Sequence, residues 1–520
     1  MIGSERKGVL FAFTALAAFA VYAWIGGVTT QSFIGHGWDL LRAKPEEILA
    51  HADDFAQAGL DGVTVCLYGK NSAGARCGFS TIMTDAPWDD AVVASNLETL
   101  RKFRTTPGLK KSFLMFWLAP QKRIAWDDDD AWAQFASNLG VLAKLGASAG
   151  MKGYFVDGED YPKTRQFFYD KSKDSMDFDV LCALARRRGA QTFQSLFKAH
   201  PDAVLLSFWF LSLDRAYASL RDPAKRMRQT GDLWPSFVNG ILDVMPDEAT
   251  FVDGDEHAYN YDSSKRDFLI KSFNQWHSAL GLVMPENRAK YSGSLSVGFG
   301  IYLDMYTKHG DVERLERNLA QAAEVSTEYV WIYGERNNWV PWSKVGNQTW
   351  EQTLPGLSEM LQSIRDPEGF TREKLAKLKA NGGVKGIQIP KDRFWTWKDK
   401  KSNAVFSRTD DVWEVSAGNG SVLAGIPARE GELYAASMSV CGENSEFKVN
   451  VHWRRKGAFD FNKAEFPIYF GEQNKGGWRQ GTVAARVPAD VDELVIQCDA
   501  IVGNGGKVRI CNFGAVRLRP

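Results

Sequence analysis

Eight short runs of apolar, β-favouring residues recur along the first two thirds of the chain, and amphipathic segments separate them. The runs are continuously apolar rather than alternating, which is typical of strands that are covered on both faces of a parallel sheet. The segments between them, such as residues 45–60 and 311–326, repeat apolar residues at three- and four-residue spacing, which predicts helices. The predicted strands are Phe33–Trp38, Gly62–Leu67, Ser112–Leu118, Gly153–Asp157, Ala203–Trp209, Thr250–Asp255, Ser296–Leu303 and Tyr329–Glu335.

Eight strand–helix units in series are the pattern of a (β/α)8 barrel, and the length suits one. The main competing fold is a doubly wound open sheet, which normally carries a ligand-binding loop where the strand order reverses. No G-x-G-x-x-G or Walker-type loop follows any of the predicted strands. The sequence therefore predicts an α/β protein with a (β/α)8 (TIM) barrel over residues 31–365.

The character of the chain changes after residue 366. Residues 366–392 read as a short helix and a linker. Short β-like runs then follow at intervals that are typical of a β-sandwich. They are VWEVSA, LYAASMSV, FKVNVHW, TVAARVP, ELVIQC and KVRICNFGAVRLRP. We expect a separate all-β sandwich domain over residues 393–520.

The N-terminus has the layout of a secretory signal, because Arg6 and Lys7 precede a long apolar stretch. Residues 1–30 are thus expected to be a signal peptide, and an uncleaved membrane anchor is the alternative. Either predicts an exported protein that is secreted, periplasmic or membrane-anchored with an extracytoplasmic ectodomain. Of the six cysteines, Cys66 and Cys77 are close enough in sequence to form a disulfide.

Charge and cysteine spacing exclude two classes of partner. The 63 basic and 63 acidic residues balance, and no long basic run is present, so a nucleic-acid partner is not expected. No C-x-x-C pair occurs, which argues against a structural zinc site. We expect neither a metal nor an organic cofactor.

Acidic and aromatic side chains collect at the ends of the predicted strands. In a barrel, the loops at the C-terminal ends of the strands build the active site. The segment MKGYFVDGEDYP places Asp157 and Glu159 there, and the last two strands end near Asp304 and Glu335. Glycosidic cleavage needs one carboxylic acid and one carboxylate, and aromatic faces bind sugar rings. No G-x-S-x-G motif supports an esterase.

These residues predict a glycoside hydrolase that acts on an extracellular poly- or oligosaccharide. Glu159 is the predicted general acid, since it follows a strand by two residues and has aromatic neighbours. Glu335 or Asp304 is the predicted nucleophile or base, although Glu335 could instead pair with Arg336. Asp157 is the predicted supporting acid, and a structural hydrogen bond is its alternative role. The predicted substrate-binding residues are His36, Trp38, Tyr161, Asp255, Glu256, Tyr259, Trp331 and Trp339.

The sequence GYFVDGE resembles the end of the strand-4 motif D-x-x-D-x-D-x-E of glycoside hydrolase family 18. Asp157 and Glu159 fall on the final aspartate and on the catalytic-acid glutamate. Lys152 and Phe155 replace the two earlier aspartates, which in that family support substrate-assisted catalysis. The resemblance therefore implies the acid on strand 4 and does not extend to that mechanism.

A wider resemblance covers residues 32–342. The segments YFVDGEDY, VDGDEHAYNY and EYVWIYGERNNW are similar to those of exported bacterial (β/α)8-barrel proteins that are grouped with the glycoside hydrolases. Retaining barrel families carry an acid/base glutamate after strand 4, which implies Glu159. Their nucleophile ends strand 7, where this chain has Asp304, and Glu335 on strand 8 is the other candidate.

Two other functions compete with this prediction. The first is a non-catalytic glycan-binding protein on a degenerate barrel. The second is a metal-dependent hydrolase in which Asp253, Asp255 and Glu256 would bind Ca²⁺, because clustered oxygen ligands suit a hard cation. The C-terminal domain resembles a carbohydrate-binding module through its strand pattern and through Trp453 and Trp478.

Overall fold

The structure is a computed structural model that describes residues 31–518. Within that range it leaves out residues 85, 213–221, 308–310, 367–368, 371–372, 375, 378–386, 462, 464–465, 469, 471–472, 475 and 489. The predicted signal peptide or anchor and most of the predicted linker lie outside the described residues. The chain divides into two compact units, residues 1–361 and residues 362–520.

The strands of the first unit fall where the apolar runs predict them. They are β1 (Ser32–Gly37), β2 (Gly62–Val65), β3 (Tyr68–Lys70), β4 (Arg76–Gly78), β5 (Phe113–Trp117), β6 (Gly153–Asp157), β7 (Val204–Ser207), β8 (Thr250–Asp253), β9 (Leu295–Val297), β10 (Phe299–Tyr302) and β11 (Tyr329–Gly334). Each of the eight predicted strands is present. The seventh is interrupted at Gly298, and the short hairpin of β3 and β4 was not predicted.

Nine of these strands form a parallel sheet in the order β10-β11-β1-β2-β5-β6-β7-β8-β9. The first and last strands of that order, β10 and β9, are separated along the chain by Gly298 alone. The sheet is therefore nearly closed and barrel-like. Its strands are buried along almost their whole length, as the continuous apolar runs predict.

Helices lie between successive strands of this sheet, and two more follow its last strand. They are α1 (Pro45–Ala50), α2 (Ala52–Gln57), α3 (Asp90–Phe103), α4 (Asp129–Ala149), α5 (Phe178–Ala199), α6 (Pro223–Thr230), α7 (Trp234–Val244), α8 (Asp267–His277), α9 (Arg288–Ser294), α10 (Asp304–Thr307), α11 (Val312–Val325), α12 (Trp350–Thr353) and α13 (Leu357–Arg365). The Asp127–Asp130 run caps α4, because the Asp128 carboxylate accepts a hydrogen bond from the Ala131 N–H.

Large side chains fill the interior of the barrel-like sheet. Trp331 on β11 is completely buried there, and its indole N–H donates a hydrogen bond to the carbonyl oxygen of Gly254 at 2.8 Å. Its ring occupies the space beside Gly300, where an added Cβ atom would lie 2.4 Å from a ring carbon. The prediction that Trp331 binds substrate is wrong, because the ring is part of the core.

The six cysteines are free thiols in the structure. Cys66 packs into the core inside the sheet, and Cys77 lies on β4 of the hairpin. The disulfide between Cys66 and Cys77 that their spacing would allow is therefore not formed in the structure. The two cysteines are close in sequence, but the Cys66 side chain packs in the core and Cys77 lies on the hairpin.

The second unit is an antiparallel β domain. Its strands are β12 (Ile387–Gln388), β13 (Phe394–Trp397), β14 (Val405–Thr409), β15 (Val412–Pro427), β16 (Leu433–Arg455), β17 (Ala458–Phe459), β18 (Phe466–Pro467), β19 (Arg479–Arg486) and β20 (Glu493–Arg517). The three long strands β15, β16 and β20 lie side by side and carry most of the apolar core.

Several predicted turns of this domain are irregularities inside long strands. The runs LYAASMSV and FKVNVHW both belong to β16, and their junction contains Asn444, which has φ of +47°. The register between β16 and β20 shifts at the same place. Gly505, with φ of +72°, plays the equivalent part in β20. Turn-forming residues here interrupt the register of the pairing without ending the strands.

The close packing of Trp331 against Gly300 predicts the effect of one methyl group. Gly300→Ala should destabilise the protein by about 1–3 kcal/mol, because the buried ring has no room to move. Urea unfolding of the full chain measures this. Gly293→Ala is the matched control, since it meets open space on α9 and replaces a poor helix former. A Gly300→Ala protein as stable as the wild type would contradict the packing described here.

Candidate active site

A cavity of about 440 Å³ opens where the C-terminal ends of the parallel strands meet. Four of its lining residues are acidic: Asp157, Glu159, Glu256 and Glu335. Seven are aromatic: Trp38, Trp117, Tyr161, Phe208, Tyr259, Tyr302 and Tyr333. His36, Leu41, Arg42 and Met115 complete the lining. The convergence of acids and aromatics that the strand ends predict is therefore present in one cavity.

Glu159 is held at two points. The strand β6 ends at Asp157, whose buried carboxylate accepts a hydrogen bond from the backbone N–H of Glu159 at 2.8 Å. The Tyr161 hydroxyl donates a hydrogen bond to Glu159 Oε2 at 2.6 Å. Asp157 thus fixes the backbone that carries Glu159, and Tyr161 orients its carboxylate.

Glu335 is held in the same way at the end of β11. Its backbone N–H donates to Asp304 Oδ2 at 2.8 Å, and the Tyr333 hydroxyl donates to Glu335 Oε1 at 2.9 Å. The strands β6 and β11 are four places apart in the sheet in either direction, counting β9 and β10 as one interrupted strand. The two glutamates therefore reach the cavity from opposite sides of the sheet.

Asp304 does not line the cavity. It is buried at the start of α10, and its Oδ1 lies 3.4 Å from Nε of Arg336. The structure therefore gives Asp304 a positioning role behind Glu335, and its prediction as nucleophile or base is not supported. Arg336 pairs with Asp304. The salt bridge between Glu335 and Arg336, which is the alternative prediction for this glutamate, is therefore not formed.

Three of the acids, Asp157, Glu159 and Glu256, protonate more readily than free carboxylates. Burial raises the pKa of Glu159, and the negative charge of Glu335 raises it further, against the effect of the Tyr161 hydrogen bond. Burial and the charge of Glu159 raise the pKa of Asp157 well above its usual range. Burial and the charge of Glu159 also raise the pKa of Glu256 to about 7. Water is largely excluded from these groups, which favours their neutral forms.

His36 is a neutral ring in the floor of the cavity. Burial lowers its pKa to about 3. The ring stacks between Phe155 and Tyr333, with centroid distances of 5.2 and 5.1 Å, and its Nδ1 lies 2.8 Å from the Thr64 hydroxyl. Both faces of the ring are covered by protein, and the ring carries no positive charge at neutral pH.

Aromatic rings form much of the cavity wall. Tyr302 and Tyr333 stack with a centroid distance of 5.2 Å, and Tyr259 lies 5.1 Å from Tyr302. At the rim, Trp38 is 42% exposed and Tyr161 is 59% exposed. Exposed flat rings beside acids and hydroxyls are suited to binding the apolar faces and hydroxyl groups of a sugar.

Eight of the twelve predicted site residues line this cavity. They are His36, Trp38, Asp157, Glu159, Tyr161, Glu256, Tyr259 and Glu335. The other four predicted residues do not line the cavity: Asp304, Trp331, Asp255 and Trp339.

Asp255 and Trp339 are buried beside the site rather than in it. The Asp255 carboxylate accepts hydrogen bonds from the Tyr261 hydroxyl at 2.8 Å and from the Gln275 amide at 3.4 Å. The Trp339 indole N–H donates to the carbonyl oxygen of His36 at 3.0 Å. Both side chains are buried and neither lines this cavity, so the structure does not support their prediction as substrate-binding residues.

Sequence reasoning missed several lining residues. Trp117, Tyr302 and Tyr333 lie at or near the C-terminal ends of their strands. An aromatic residue at a strand end is the pattern that predicts Trp38, and it applies equally to these three. Leu41 and Arg42 follow β1 in a 3₁₀ turn, which no pattern in the sequence marked.

The proposed Ca²⁺ ligands do not form a metal site. Asp253 accepts hydrogen bonds from the backbone N–H groups of Phe210, Leu211 and Ser212, so its oxygens hold the loop after β7. In the part of the chain that the structure describes, no three His, Cys, Asp or Glu side chains are grouped so as to hold a metal ion.

Comparisons with known proteins place no family name on the chain. No protein-family model matches the sequence, and no curated protein matches it. The resemblance to glycoside hydrolase family 18 is therefore not supported by a family match.

Solved structures resemble short parts of the chain. One is the enzymatically active domain of tailspike protein 4 of bacteriophage CBA120, at 9% identity and a TM-score of 0.19, covering 24% of this chain and 19% of that one. Another is the CBM22-1–GH10 part of endo-1,4-β-D-xylanase 10B of Clostridium thermocellum complexed with xylohexaose, at 10% identity and a TM-score of 0.20, covering 25% and 27%.

A third similar structure is the CBM22-1 xylan-binding domain from Paenibacillus barcinonensis, at 8% identity and a TM-score of 0.20, covering 26% of this chain and 90% of that domain. The matched region thus spans less than a third of the tailspike and xylanase chains.

In the described part of the chain, no helix has the length and apolar character of a membrane span.

The buried acids predict how stability depends on pH. Burial raises the pKa of Asp255 to about 7 and that of Asp39 to about 6, while in the unfolded chain both would titrate near their ordinary value of about 3.9. Between those values these two groups hold more protons in the folded state than in the unfolded state. The free energy of unfolding should therefore fall as the pH rises from about 4 to about 7.

Melting temperatures of the full chain at pH 5 and pH 8 measure this dependence, and we expect the higher value at pH 5. Asp255→Asn should reduce the difference, because the amide does not titrate. Glu46→Gln, an exposed residue on α1, should leave the difference unchanged. A melting temperature that rises from pH 5 to pH 8 would refute the expectation.

Proposed function

We propose that this protein is a glycoside hydrolase whose parallel sheet is a (β/α)8 barrel, with Glu159 as general acid and Glu335 as the second catalytic carboxylate. The observation that carries the proposal is the matched support of the two glutamates. Each lines the same cavity, each has its backbone N–H bound by a buried aspartate, and each is oriented by a tyrosine hydroxyl.

The raised pKa of Glu159 suits the role of general acid. A raised pKa keeps the proton on Glu159, so that it can protonate the oxygen of the leaving sugar. Glu335 then acts as nucleophile or as base toward water. When Glu335 loses its charge in a covalent step, the repulsion that raises the pKa of Glu159 disappears. The pKa of Glu159 would then fall, so Glu159 would stay ionised after it has donated its proton. In that form it can act as the base for the attacking water.

The walls of the cavity fit a saccharide substrate. The exposed faces of Trp38 and Tyr161 would stack on sugar rings at the rim, and Tyr259 and His36 would meet the ring that is bound deeper. We propose an extracellular poly- or oligosaccharide as the substrate, because the N-terminal Arg6 and Lys7 with the following apolar stretch indicate export.

The antiparallel domain is proposed to bind carbohydrate, with residues other than those first predicted. Trp453 is buried in the core of that domain, and the Arg509 guanidinium covers Trp478 at 5.5 Å from the ring centroid. Trp397 and Phe461 are 59% and 81% exposed and are the better candidates for stacking on sugars.

Replacement of either glutamate tests the catalytic pair. Glu159→Gln and Glu335→Gln should each lower kcat at least about 100-fold, since a positioned acid or base contributes factors of about 10²–10⁴. Released sugars from a panel of poly- and oligosaccharides are the readout. Glu46→Gln is the control for the loss of one exposed charge. If the wild type binds glycans and cleaves none of them, a glycan-binding function replaces the proposal.

The positioning role of Asp304 gives a separate prediction. Asp304→Ala removes the acceptor of the Glu335 N–H and should lower kcat about tenfold to 100-fold, with little change in KM. Asp304→Asn keeps an oxygen acceptor at the same place and should retain most of the activity. Equal losses in the two variants would mean that the Asp304 charge matters rather than its hydrogen bond.

A further inference from the structure

Glu256 is the one acid in the cavity that the mechanism above leaves without a role. It follows β8, and its backbone N–H donates to the carbonyl oxygen of Phe208 at 3.0 Å. Asp157 supports Glu159, and Glu159 and Glu335 form the catalytic pair. Among the residues that the structure describes, the Glu256 side chain has no hydrogen-bond or ion-pair partner, although it lines the cavity.

Acidic side chains outnumber cationic ones in the cavity. Four acids line it, and Arg42 is its only permanently cationic residue among those described, since buried His36 is neutral. Arg42 is exposed at the rim, where its guanidinium lies 5.9 Å from the Trp38 ring centroid and donates a hydrogen bond to the Lys344 carbonyl oxygen at 3.1 Å. No cation within the described protein therefore balances Glu256.

We propose that the cavity binds a glycan that carries free amino groups, with the ammonium of one hexosamine residue paired to Glu256. This inference rests on the proposed glycosidase function and names its substrate class. An ammonium donates charge-assisted hydrogen bonds to a carboxylate. A neutral sugar would remove water from Glu256 without supplying an opposite charge.

The surroundings of Glu256 favour the same ligand. An ammonium bound beside Glu256 would favour the ionised form of this carboxyl group, which burial and the charge of Glu159 otherwise disfavour. The same acids would repel the carboxylate of a uronic acid, which gives the site a negative as well as a positive selection.

Three hexasaccharides with one linkage test the proposal: β-1,4-linked glucose, N-acetylglucosamine and glucosamine. They differ only in the group on C2, which is hydroxyl, acetamide or ammonium. Binding is measured by calorimetry with full-length Glu159→Gln protein, so that no turnover occurs. We expect the glucosamine oligomer to bind at least about tenfold more tightly than the other two, which corresponds to about 1.4 kcal/mol.

The double variant with Glu256→Gln should lose this preference, and the double variant with Glu46→Gln should keep it. To cover other linkages, wild-type protein is also assayed on α-1,4-linked and β-1,6-linked N-acetylhexosamine polymers before and after chemical de-N-acetylation, and on polygalacturonate. Equal binding of all three hexamers, a preference that survives Glu256→Gln, preference for polygalacturonate, or no interaction with any amino glycan would overturn the inference.

The two proposals fail in different ways. Cleavage of neutral glycans alone would keep the glycosidase function and remove the amino-sugar substrate. Binding of an amino glycan that depends on Glu256, without cleavage by the wild type, would keep the ligand class and remove the catalytic function.

Discussion

The hydrogen bonds from two glutamate N–H groups to two buried aspartates determine the geometry of the candidate site. A strand ends where its ladder of backbone hydrogen bonds stops, and the chain beyond it is free to take many directions. Asp157 and Asp304 each accept the N–H of the glutamate that follows or faces it, at 2.8 Å in both cases. These two contacts fix the backbone at the ends of β6 and β11, and the tyrosine hydroxyls then orient the carboxylates.

Burying these aspartates changes the ionisation of the carboxyl groups in the site. A buried aspartate is stable only if its charge is satisfied or if it is protonated. The pKa of Asp157 is raised well above its usual range, mainly by burial and then by the charge of Glu159. Supporting acids and catalytic acids therefore share one weakly solvated region, in which the ionisation of each carboxyl group affects that of the others. A ligand that brings positive charge would change all of them together.

The strands and the mouth of the sheet could be predicted, because buried parallel strands are continuous apolar runs and their ends carry acids and aromatics. The depth of each side chain could not. Trp331 and Tyr333 lie two residues apart on β11, so they share a face. Trp331 nevertheless sits in the core, and Tyr333 lines the cavity. Asp255 was misassigned for a related reason, since its φ of +36° breaks the alternation of a strand. The irregularities inside β16 and β20 look like turns in the sequence, because turns and these irregularities both contain residues with positive φ.

The free thiols have a consequence for the conditions under which the protein keeps its fold. Burial raises the pKa of the thiols of Cys66, Cys77, Cys182, Cys498 and Cys511, so the reactive thiolate is disfavoured at each. The described fold contains no cross-link that a reductant could open. The described fold is therefore held together by packing and hydrogen bonds rather than by disulfides.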